Sequence, residues 1–414
     1  MNAEIIAIGS ELLTPFRQDT NSLFLTAELN KLGVDVDYKT VVGDDSARLT
    51  TIARIALDRA DVVIFMGGLG PTEDDLTRES VAAALHLQLR RDADLVAGLY
   101  ARFAARKIKM PENNLKQADV IMGASALPNQ RGSAPGQYLE GSIDGRERIV
   151  ILLPGPPVEL KPMFNEEVLP RLKRKLPPAF IATRELRMAL MPESECDAIA
   201  APIYKAHKEV ETTILAPVGE VQLHLKARGK SLQEAQEKVD ALAEELEDEL
   251  GDNVFSSRGE SLEQIVGYFL DMRGSTVAVA ESCTGGLLGQ RLSSVSGSSR
   301  YFLGGAIVYS NDLKTSLSDV PPLMIKEHGA VSREVAIALA EGIRKKCKST
   351  FGVAVTGIAG PTGGTPEKPV GLVYHAIADG KKTEVVKRNF PSDRDRVRWW
   401  ASQQALDMIR RKLM

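Results

Sequence analysis

The stretch DVVIFMGGLGPTEDDLTRE, residues 61–79, shows how the first part of the chain is built. Its first seven residues form a short apolar run, which predicts a buried strand. Glycines at 67, 68 and 70 end this strand and form a turn, and a turn of this kind lets the backbone approach a phosphate closely. A helix is predicted after the turn, so the free N–H groups at its start would face the same ligand. The order of strand, glycine-rich turn and helix predicts a phosphate-binding edge of an α/β sheet.

Short apolar strands alternate with helical patterns on both sides of this stretch. Residues 4–9 and 148–154 have the composition of strands, while 20–32 and 46–59 carry apolar residues at helical spacing. Strands that alternate with helices indicate a mainly parallel sheet covered by helices. The basic, proline-bounded run PRLKRKLPP at 170–178 is interpreted as a linker. The first predicted domain therefore spans residues 1–170.

Residues 176–255 have a different order of elements. A strand, a helix, a hairpin and the long amphipathic helix at 231–250 predict a small α+β module with KH-type topology. The module has no GxxG loop, the element with which KH domains hold RNA, so we expect a structural spacer rather than an RNA binder. After a second predicted linker at 251–260, the α/β alternation returns over 256–414. The predicted fold class is α/β, with two mainly parallel sheets joined by the KH-type module.

Carboxylates gather around the glycine-rich turn. Asp74 and Asp75 follow it, and Asp44 and Asp45 end another strand of the same predicted sheet. Neighbouring ends of parallel strands meet at one crevice, and carboxylates there repel a phosphate unless a divalent metal bridges the two. The residues therefore predict metal-dependent chemistry on a phosphate ester or anhydride. The alternative is that Asp74 and Asp75 only cap the following helix. The predicted substrate-binding residues here are Gly67, Gly68, Gly70, Thr72, Asp44 and Gly155.

The last third of the chain carries a different set of reactive side chains. Ser282 follows a predicted strand, at a turn where a helix N-terminus could stabilise an oxyanion. The five histidines are scattered, so a serine nucleophile would need a partly desolvated lysine as its base. Tyr309 and Lys314 lie in one nearby motif, and Thr356 precedes a loop dense in glycine. Two alternatives stay open: Cys283 could be the nucleophile, or Ser282 could only cap the next helix.

These motifs together resemble those of the CinA family, and the resemblance spans nearly the whole chain. The matching segments are GSELL (9–13), DTNS (19–22), VGDD (42–45), GGLGPTEDDLT (67–77), APGQ (134–137), LPGPP (153–157), AESCTGG (280–286), YSNDLK (309–314) and TGIAGPTGG (356–364). For the first domain, the resemblance implies a molybdopterin-binding fold of the MogA/MoeA type. It also implies an ADP-ribose pyrophosphatase that releases AMP and ribose 5-phosphate with Co²⁺, Mg²⁺ or Mn²⁺. The implied metal ligands are Asp44, Asp45, Asp74 and Asp75, and pterin binding is the alternative.

For the last domain, the resemblance implies a nicotinamide mononucleotide deamidase that needs no cofactor. Ser282 would be the nucleophile and Lys314 the base, while Tyr309 and Thr356 would line the site. Arg396 matches a substrate arginine, and Arg394 and Arg398 are its alternatives. The glycines expected around the substrate are Gly285, Gly286, Gly357, Gly360, Gly363 and Gly364. The prediction is a bifunctional pyridine-nucleotide recycling enzyme; the alternative is a molybdopterin-type binding module with a non-catalytic C-terminal domain.

Composition excludes several other classes. The net charge of −3 gives no basic excess for nucleic acid, and no apolar run is long enough to span a bilayer. Three widely spaced cysteines argue against a disulfide framework and fit a reducing cytoplasm. The expected partners are therefore small nucleotides, with no nucleic acid and no membrane, and a homodimer is the default assembly. A DNA-linked accessory protein is the third, least supported class.

Overall fold

The computed structural model describes residues 1–143 and 145–414, and the chain divides into the units Met1–Phe180 and Ile181–Met414. In chain order the first unit contains β1 (Asn2–Ile8), α1 (Asn21–Lys31), β2 (Asp35–Val42), α2 (Ser46–Arg59), β3 (Val62–Met66), α3 (Thr77–Ala84), β4 (Leu89–Arg91), α4 (Ala93–Ala105), β5 (Asp119–Ile121), β6 (Ser125–Leu127), β7 (Gly136–Ile143), β8 (Arg146–Leu153), α5 (Pro157–Met163) and α6 (Leu169–Lys175). Short 3-10 segments cover Ser10–Leu13 and Glu112–Ala118, and a π-helical turn at Phe164–Val168 joins α5 to α6.

The main sheet of the first unit has the order β2-β1-β3-β8-β7-β6. The pairings from β2 to β8 are parallel, and β7 and β6 add antiparallel strands at one edge. Alternate residues of β1 enter two separate cores: Ile5 packs with α1, α5 and α6, whereas Ile6 packs with α2 and α3. A sheet with helices on both faces buries its central strands completely, which explains their continuous apolar runs.

The expectation of a linker at 170–178 is wrong. Residues Leu169–Lys175 form α6, whose Leu172 is fully buried, and Leu176 just beyond it packs into the same core. Pro170 lies at the helix start, where the missing N–H of proline costs no hydrogen bond. Pro170 therefore begins this helix rather than preventing it, and Pro177 and Pro178 follow its end.

The second unit begins with the KH-type module. Its elements are β9 (Phe180–Ala189), α7 (Glu193–Tyr204), β10 (Val210–Leu215), β11 (Glu220–Gly229), α8 (Leu232–Leu250) and β12 (Val254–Ser256), with a 3-10 turn at Gly251–Asn253. The sheet order is β10-β11-β9-β12, and both helices pack on it around one core. The predicted strand, helix, hairpin and helix are confirmed. The predicted linker at 251–260 is wrong over β12, which pairs with β9.

The rest of the second unit is another layered α/β domain. Its elements are α9 (Leu262–Met272), β13 (Val277–Glu281), α10 (Leu287–Ser293), β14 (Phe302–Ile307), α11 (Asn311–Ser318), α12 (Pro322–His328), α13 (Arg333–Cys347), β15 (Phe351–Gly357), β16 (Leu372–Ala378), β17 (Thr383–Asn389) and α14 (Arg394–Leu413), with a 3-10 turn at Ser298–Arg300. The order is β14-β13-β15-β16-β17, with β14, β13 and β15 parallel and β16 and β17 antiparallel.

Strand β13 is the centre of this domain. Its Val277 and Val279 pack under α9, α10 and α14, while Ala278 and Ala280 face the core formed by α12 and α13. The predicted α/β class is confirmed for both domains. The sequence does not predict strand β17. Its charged residues conceal the alternation of apolar and polar residues that indicates an edge strand. Within the described residues, no helix combines the length and the apolar character needed to cross a membrane.

Candidate active sites

Ser282 lies at the end of β13, where the chain turns into α10. Its amide donates to the carbonyl of Val355 in β15 at 2.9 Å, and its side chain is nearly buried. Gly285 closes the turn by donating to the Ser282 carbonyl at 3.1 Å. Gly286 then has φ +96°, a conformation that only glycine adopts without strain. The Thr-Gly-Gly sequence that follows Cys283 therefore serves the backbone of the turn.

Lys314 reaches Ser282 from α11. The helix is capped by Ser310, whose hydroxyl accepts from the Leu313 amide, and the fourth helical residue, Lys314, turns inward. The side chain is 2% exposed, and its Nζ lies 3.3 Å from Ser282 Oγ. The same nitrogen donates to the carbonyls of Val308 at 2.9 Å and Tyr309 at 3.3 Å. No carboxylate of the described residues forms an ion pair with it.

The surroundings of Lys314 favour its neutral amine. Burial lowers the pKa of Lys314 below its ordinary value, because the charged form loses its hydration. A neutral amine has two N–H donors and one lone pair, and the two carbonyls take the donors. In the charged form Nζ also donates to Ser282 Oγ, whereas in the neutral form the lone pair would be free to accept the hydroxyl proton of Ser282. This arrangement suits a general base.

Cys283 points into the hydrophobic core rather than into the site. It packs in the core cluster of β13, α10 and α14, and burial raises the pKa of its thiol to about 12. A protonated thiol is a poor nucleophile. Of the two nucleophiles that the sequence left open, the geometry favours Ser282.

The first amides of α10 are not free for an oxyanion, contrary to expectation. The buried carboxylate of Glu281 accepts from the amides of Gly286 at 3.0 Å, Leu288 at 3.0 Å and Gly289 at 2.7 Å. An internal carboxylate thus satisfies the positive end of the helix. The next amides along the turn, those of Cys283 and Thr284, donate to no backbone carbonyl of the described chain, but they lie near the Cys283 thiol and oppose the rise of its pKa.

Two of the three candidate arginines contact the predicted site. Arg394 donates to the Tyr309 hydroxyl at 2.9 Å and to the Gly360 carbonyl at 2.8 Å. Arg398 donates to the Thr284 carbonyl at 3.2 and 3.0 Å. This contact ties α14 to residues 282–286, which we call the nucleophile turn because they carry the candidate nucleophile Ser282. Arg396 is exposed and pairs with Asp393 of its own turn at 3.4 Å. The geometry therefore favours Arg394 and Arg398 as residues of the site rim.

Thr356 and the glycine-rich loop form the neighbouring wall. Thr356 is fully buried in β15, and its hydroxyl donates to the Ala330 carbonyl at 2.8 Å rather than to Ser282. Lys368 binds the carbonyls of His328 and Val331 at 2.8 Å each, and so ties the loop to the segment before α13. The loop contains the predicted glycines Gly357, Gly360, Gly363 and Gly364.

A cavity of about 360 Å³ lies in the first unit at the ends of its parallel strands. Its lining includes eight residues expected from the sequence: Asp44, Gly67, Gly68, Gly70, Thr72, Asp74, Asp75 and Gly155. Glu11, Gln117 and Glu159 also line it. Asp45 does not, because its side chain caps α2 by accepting from the Arg48 amide at 2.8 Å. The strand ends thus bring together most of the predicted residues.

The start of α3 orients the backbone of the glycine-rich turn. Thr77 donates its hydroxyl to the Gly67 carbonyl at 2.7 Å and its amide to the Gly68 carbonyl at 3.2 Å. Arg78 donates to the carbonyls of Leu69 at 2.8 Å and Gly70 at 3.0 Å. In a trans peptide the N–H points opposite to the carbonyl. The amides of Gly68, Leu69 and Gly70 therefore face away from α3, where an anion can bind.

Arg78 holds carbonyls of the glycine-rich turn without lining the cavity, and the sequence reasoning missed it. Its side chain is fully buried, and it forms no ion pair with the carboxylates of the described residues. A buried guanidinium without a counter-ion is costly unless a nearby anion compensates it. The signal was visible in the sequence, because an arginine stands directly after the turn among small and apolar helix residues.

The carboxylates around this cavity fit a divalent ion that takes its other ligands from the substrate. Asp44 accepts from the Ser10 amide at 2.7 Å, and Asp75 accepts from the amide and hydroxyl of Thr72 at 2.9 and 2.5 Å. The nearby Thr72 hydroxyl holds the pKa of Asp74 below its ordinary value, which keeps this carboxylate ionised. In the described part of the chain, no three acidic, histidine or cysteine side chains form a metal cage. The residues fit an ion held by one or two carboxylates together with substrate phosphates.

Comparison with known proteins covers the whole chain. Residues 4–174 match the probable molybdopterin binding domain, 183–256 the damage-inducible protein CinA KH domain, and 259–413 the CinA C-terminal domain. A CinA-like protein of Koribacter versatilis is 64% identical over 414 residues, covering 100% of both chains. A putative competence-damage inducible protein of Moorella thermoacetica is 42% identical, covering 100% of this chain and 99% of its own.

Solved structures match parts of the chain. The competence/damage inducible protein CihA from Agrobacterium tumefaciens is 37% identical, with a TM-score of 0.35, covering 36% of this chain and 90% of its own. The molybdopterin biosynthesis enzyme MoaB from Thermus thermophilus is 21% identical, with a TM-score of 0.29, covering 42% of this chain and 92% of its own.

Proposed function

The chain belongs to the CinA family, and on that premise we propose that its C-terminal domain hydrolyses the carboxamide of nicotinamide mononucleotide. The products are nicotinic acid mononucleotide and ammonia. One observation carries the proposal: a buried lysine without an acidic partner holds its Nζ 3.3 Å from Ser282 Oγ. Serine with a neutral lysine base is an arrangement suited to amide hydrolysis.

The proposed reaction runs through an acyl-enzyme. Ser282 Oγ attacks the carboxamide carbon while Lys314 Nζ takes the hydroxyl proton. The amides of Cys283 and Thr284 donate to the oxyanion of the tetrahedral intermediate. Collapse of this intermediate breaks the C–N bond, and Lys314 gives its proton to the departing ammonia. Water then hydrolyses the ester on Ser282, with Lys314 again as base, and no cofactor takes part.

The rim of the site suits the phosphate of the nucleotide. Arg394 and Arg398 place two guanidinium groups at the start of α14, close to Tyr309 and the nucleophile turn. Guanidinium groups bind phosphate in a bidentate manner, and such contacts orient the substrate. We therefore expect the nucleotide to be a better substrate than the nucleoside or free nicotinamide.

The test is ammonia release by the full chain from nicotinamide mononucleotide, nicotinamide riboside and nicotinamide. The proposal predicts turnover of the nucleotide, with loss of the phosphate raising KM. Matched assays with Ser282→Ala exclude a contaminating amidase. Equal turnover of all three compounds would contradict the phosphate-binding rim, and no turnover of the nucleotide would reject the activity.

A second activity is proposed for the first unit, hydrolysis of ADP-ribose to AMP and ribose 5-phosphate. Two features around one cavity favour it. The amides of Gly68, Leu69 and Gly70 face away from α3. The carboxylates of Asp44, Asp74 and Asp75 line the same cavity. The amides would hold a phosphoryl oxygen, and the carboxylates would hold Co²⁺, Mg²⁺ or Mn²⁺. When bound, the ion supplies charge neutralisation and lowers the pKa of an attacking water.

AMP release with each metal tests this second activity. Dependence on metal together with loss in Asp74→Asn would support it. A tight pterin complex without hydrolysis would instead support the molybdopterin-type binding module. The two activities would act on nicotinamide-containing and ADP-ribose-containing nucleotides, which is consistent with pyridine-nucleotide recycling.

The proposed partners are small nucleotides rather than nucleic acids. The outer face of α8 is acidic, because its exposed residues include Glu237, Glu244, Asp248 and Glu249. That face repels phosphates. The full chain could be tested for salt-sensitive RNA binding. Such binding would contradict this assignment if it were lost when the hairpin is altered while the charges of α8 are kept. A cytoplasmic homodimer stays the expected state.

A further inference from the structure

The hairpin of the KH-type module touches the helix that carries the rim arginines. We call residues 217–219, between β10 and β11, the hairpin tip. Trp399 of α14 donates its indole N–H to the Val218 carbonyl at 2.7 Å. Gly219 has φ +78°, and a Cβ added there would lie 2.8 Å from Trp400 Cδ1. The tip thus fits closely against both tryptophans of the chain.

Trp399 is held from its other side by a buried arginine. The guanidinium carbon of Arg291 lies 4.3 Å from the centre of the Trp399 ring, within the range of a cation–π contact. Arg291 is 4% exposed, pairs with Glu263, and donates to Ser402 at 2.8 Å and to Gln403 at 2.5 Å. A movement of Arg291 would break these hydrogen bonds and the ion pair, so the arginine is a rigid support. The hairpin tip and Arg291 together therefore fix the indole ring of Trp399.

The same helix start connects to the reacting serine. Arg398, next to Trp399 in the chain, donates twice to the Thr284 carbonyl, two residues from Ser282. One turn earlier, Arg394 binds Tyr309 and Gly360. A shift of this part of α14 would therefore displace the nucleophile turn and the rim at once.

We propose that the hairpin tip is a positioning contact for the deamidase site, and that Trp399 is a positioning residue that acts through Arg398. The KH-type module then contributes to the scaffold of the C-terminal site rather than serving only as a spacer. The effect on turnover rests on the proposed deamidase function. The structural coupling between the hairpin tip and the nucleophile turn does not depend on that function, and it can be measured without substrate.

The experiment compares Gly219→Ala with Val218→Ala in the full chain. The alanine at 219 is strained at its positive φ and meets Trp400, so it displaces the tip. Val218→Ala keeps the carbonyl that Trp399 uses and shortens a side chain that is already 38% exposed, so it is the matched control. Trp399→Phe is a milder second variant, which removes the indole N–H and keeps an aromatic ring.

Two readouts are independent of activity. Intrinsic fluorescence reports the tip directly, because Trp399 and Trp400 are the two tryptophans in the sequence. Hydrogen–deuterium exchange of peptides covering 282–290 and 394–400 reports the nucleophile turn and the rim. The proposal predicts that Gly219→Ala shifts the emission to the red and speeds exchange in both peptides, whereas Val218→Ala changes neither. Trp399→Phe should speed exchange in both peptides to a smaller degree.

Kinetics then separate positioning from simple packing. Displacement of the nucleophile turn should lower kcat/KM for nicotinamide mononucleotide about tenfold or more, since small misplacements of reacting groups are costly. A red shift without faster exchange in 282–290 would overturn the proposal, whatever the substrate. An unshifted emission in Gly219→Ala would overturn it too, because the tip would not lie on the tryptophans. If the wild-type chain shows no deamidation, the proposed function fails while exchange still decides the coupling.

Discussion

Replacement of Lys314 by arginine is the sharpest perturbation of the proposed base. The lysine Nζ has three near neighbours, the Val308 and Tyr309 carbonyls and Ser282 Oγ, and no acidic partner among the described residues. Arginine also offers N–H donors, but it always carries a positive charge and cannot give up its proton at any pH compatible with folding. It therefore cannot accept the proton of Ser282.

The expected loss is that of a general base. Such groups contribute about 10²–10⁴-fold, or about 3–5 kcal/mol of activation free energy. Lys314→Arg should thus be nearly as damaging as Lys314→Ala. Lys346→Arg is the matched control, because Lys346 also donates to a carbonyl, that of Ser316 at 2.6 Å, and lies outside the site.

The assay is initial-rate ammonia release with nicotinamide mononucleotide over a range of pH. The active form is the neutral amine, so wild-type kcat should rise with pH until it passes the pKa of Lys314. Burial lowers that pKa, so the plateau should come below the value of an ordinary lysine, about 10.4. The folded chain also binds this proton less tightly than the unfolded chain, so the group's contribution to stability rises with pH.

One result would refute this reasoning. If Lys314→Arg keeps turnover within threefold of Lys346→Arg, a group that cannot deprotonate suffices and Lys314 is not the base. Thermal unfolding of both variants is measured in parallel, so that a lost fold is not mistaken for a lost base.

Three further predictions follow from the two sites. Ser282→Ala should lower kcat at least about 10³-fold while nucleotide binding persists, whereas Cys283→Ala should be mild; the reverse order in the ammonia assay would assign the thiol. Arg78→Lys should weaken AMP binding about tenfold by calorimetry, because the lysine cannot hold both turn carbonyls. Arg148→Lys, at another buried arginine that donates to a backbone carbonyl, should leave AMP binding unchanged, and equal effects would deny Arg78 its role. Asp74→Asn should lose most metal-dependent AMP release, and wild-type rates with cobalt would rule out that ligand.

The layered architecture could be predicted because burial on both faces leaves a clear trace in the sequence. Strands such as β3 are apolar throughout, and the helices between them show their spacing. The failures lie where local signals mislead. The prolines at 170–178 suggested a linker although Pro170 starts a helix, and the charges of β17 hid an edge strand.

The proximity of Ser282 and Lys314 could also be predicted, since both lie in long motifs. What the sequence could not show is how the turns satisfy their hydrogen bonds. Glu281 takes the helix amides expected for the oxyanion, and Arg78 takes the carbonyls of the glycine-rich turn. Helical spacing also does not define how α14 is rotated relative to Tyr309. That rotation decides whether Arg394 or Arg396 contacts the site.

Direct mapping of the acyl-enzyme tests the central claim. The full chain is mixed with nicotinamide mononucleotide, quenched in acid within the first turnovers, digested and analysed by mass spectrometry. The account predicts an ester on Ser282 whose mass equals that of the substrate minus ammonia, present in wild type, absent in Ser282→Ala and unaffected in Cys283→Ala. An adduct on Cys283, or ammonia release by Ser282→Ala at the wild-type rate, would contradict it.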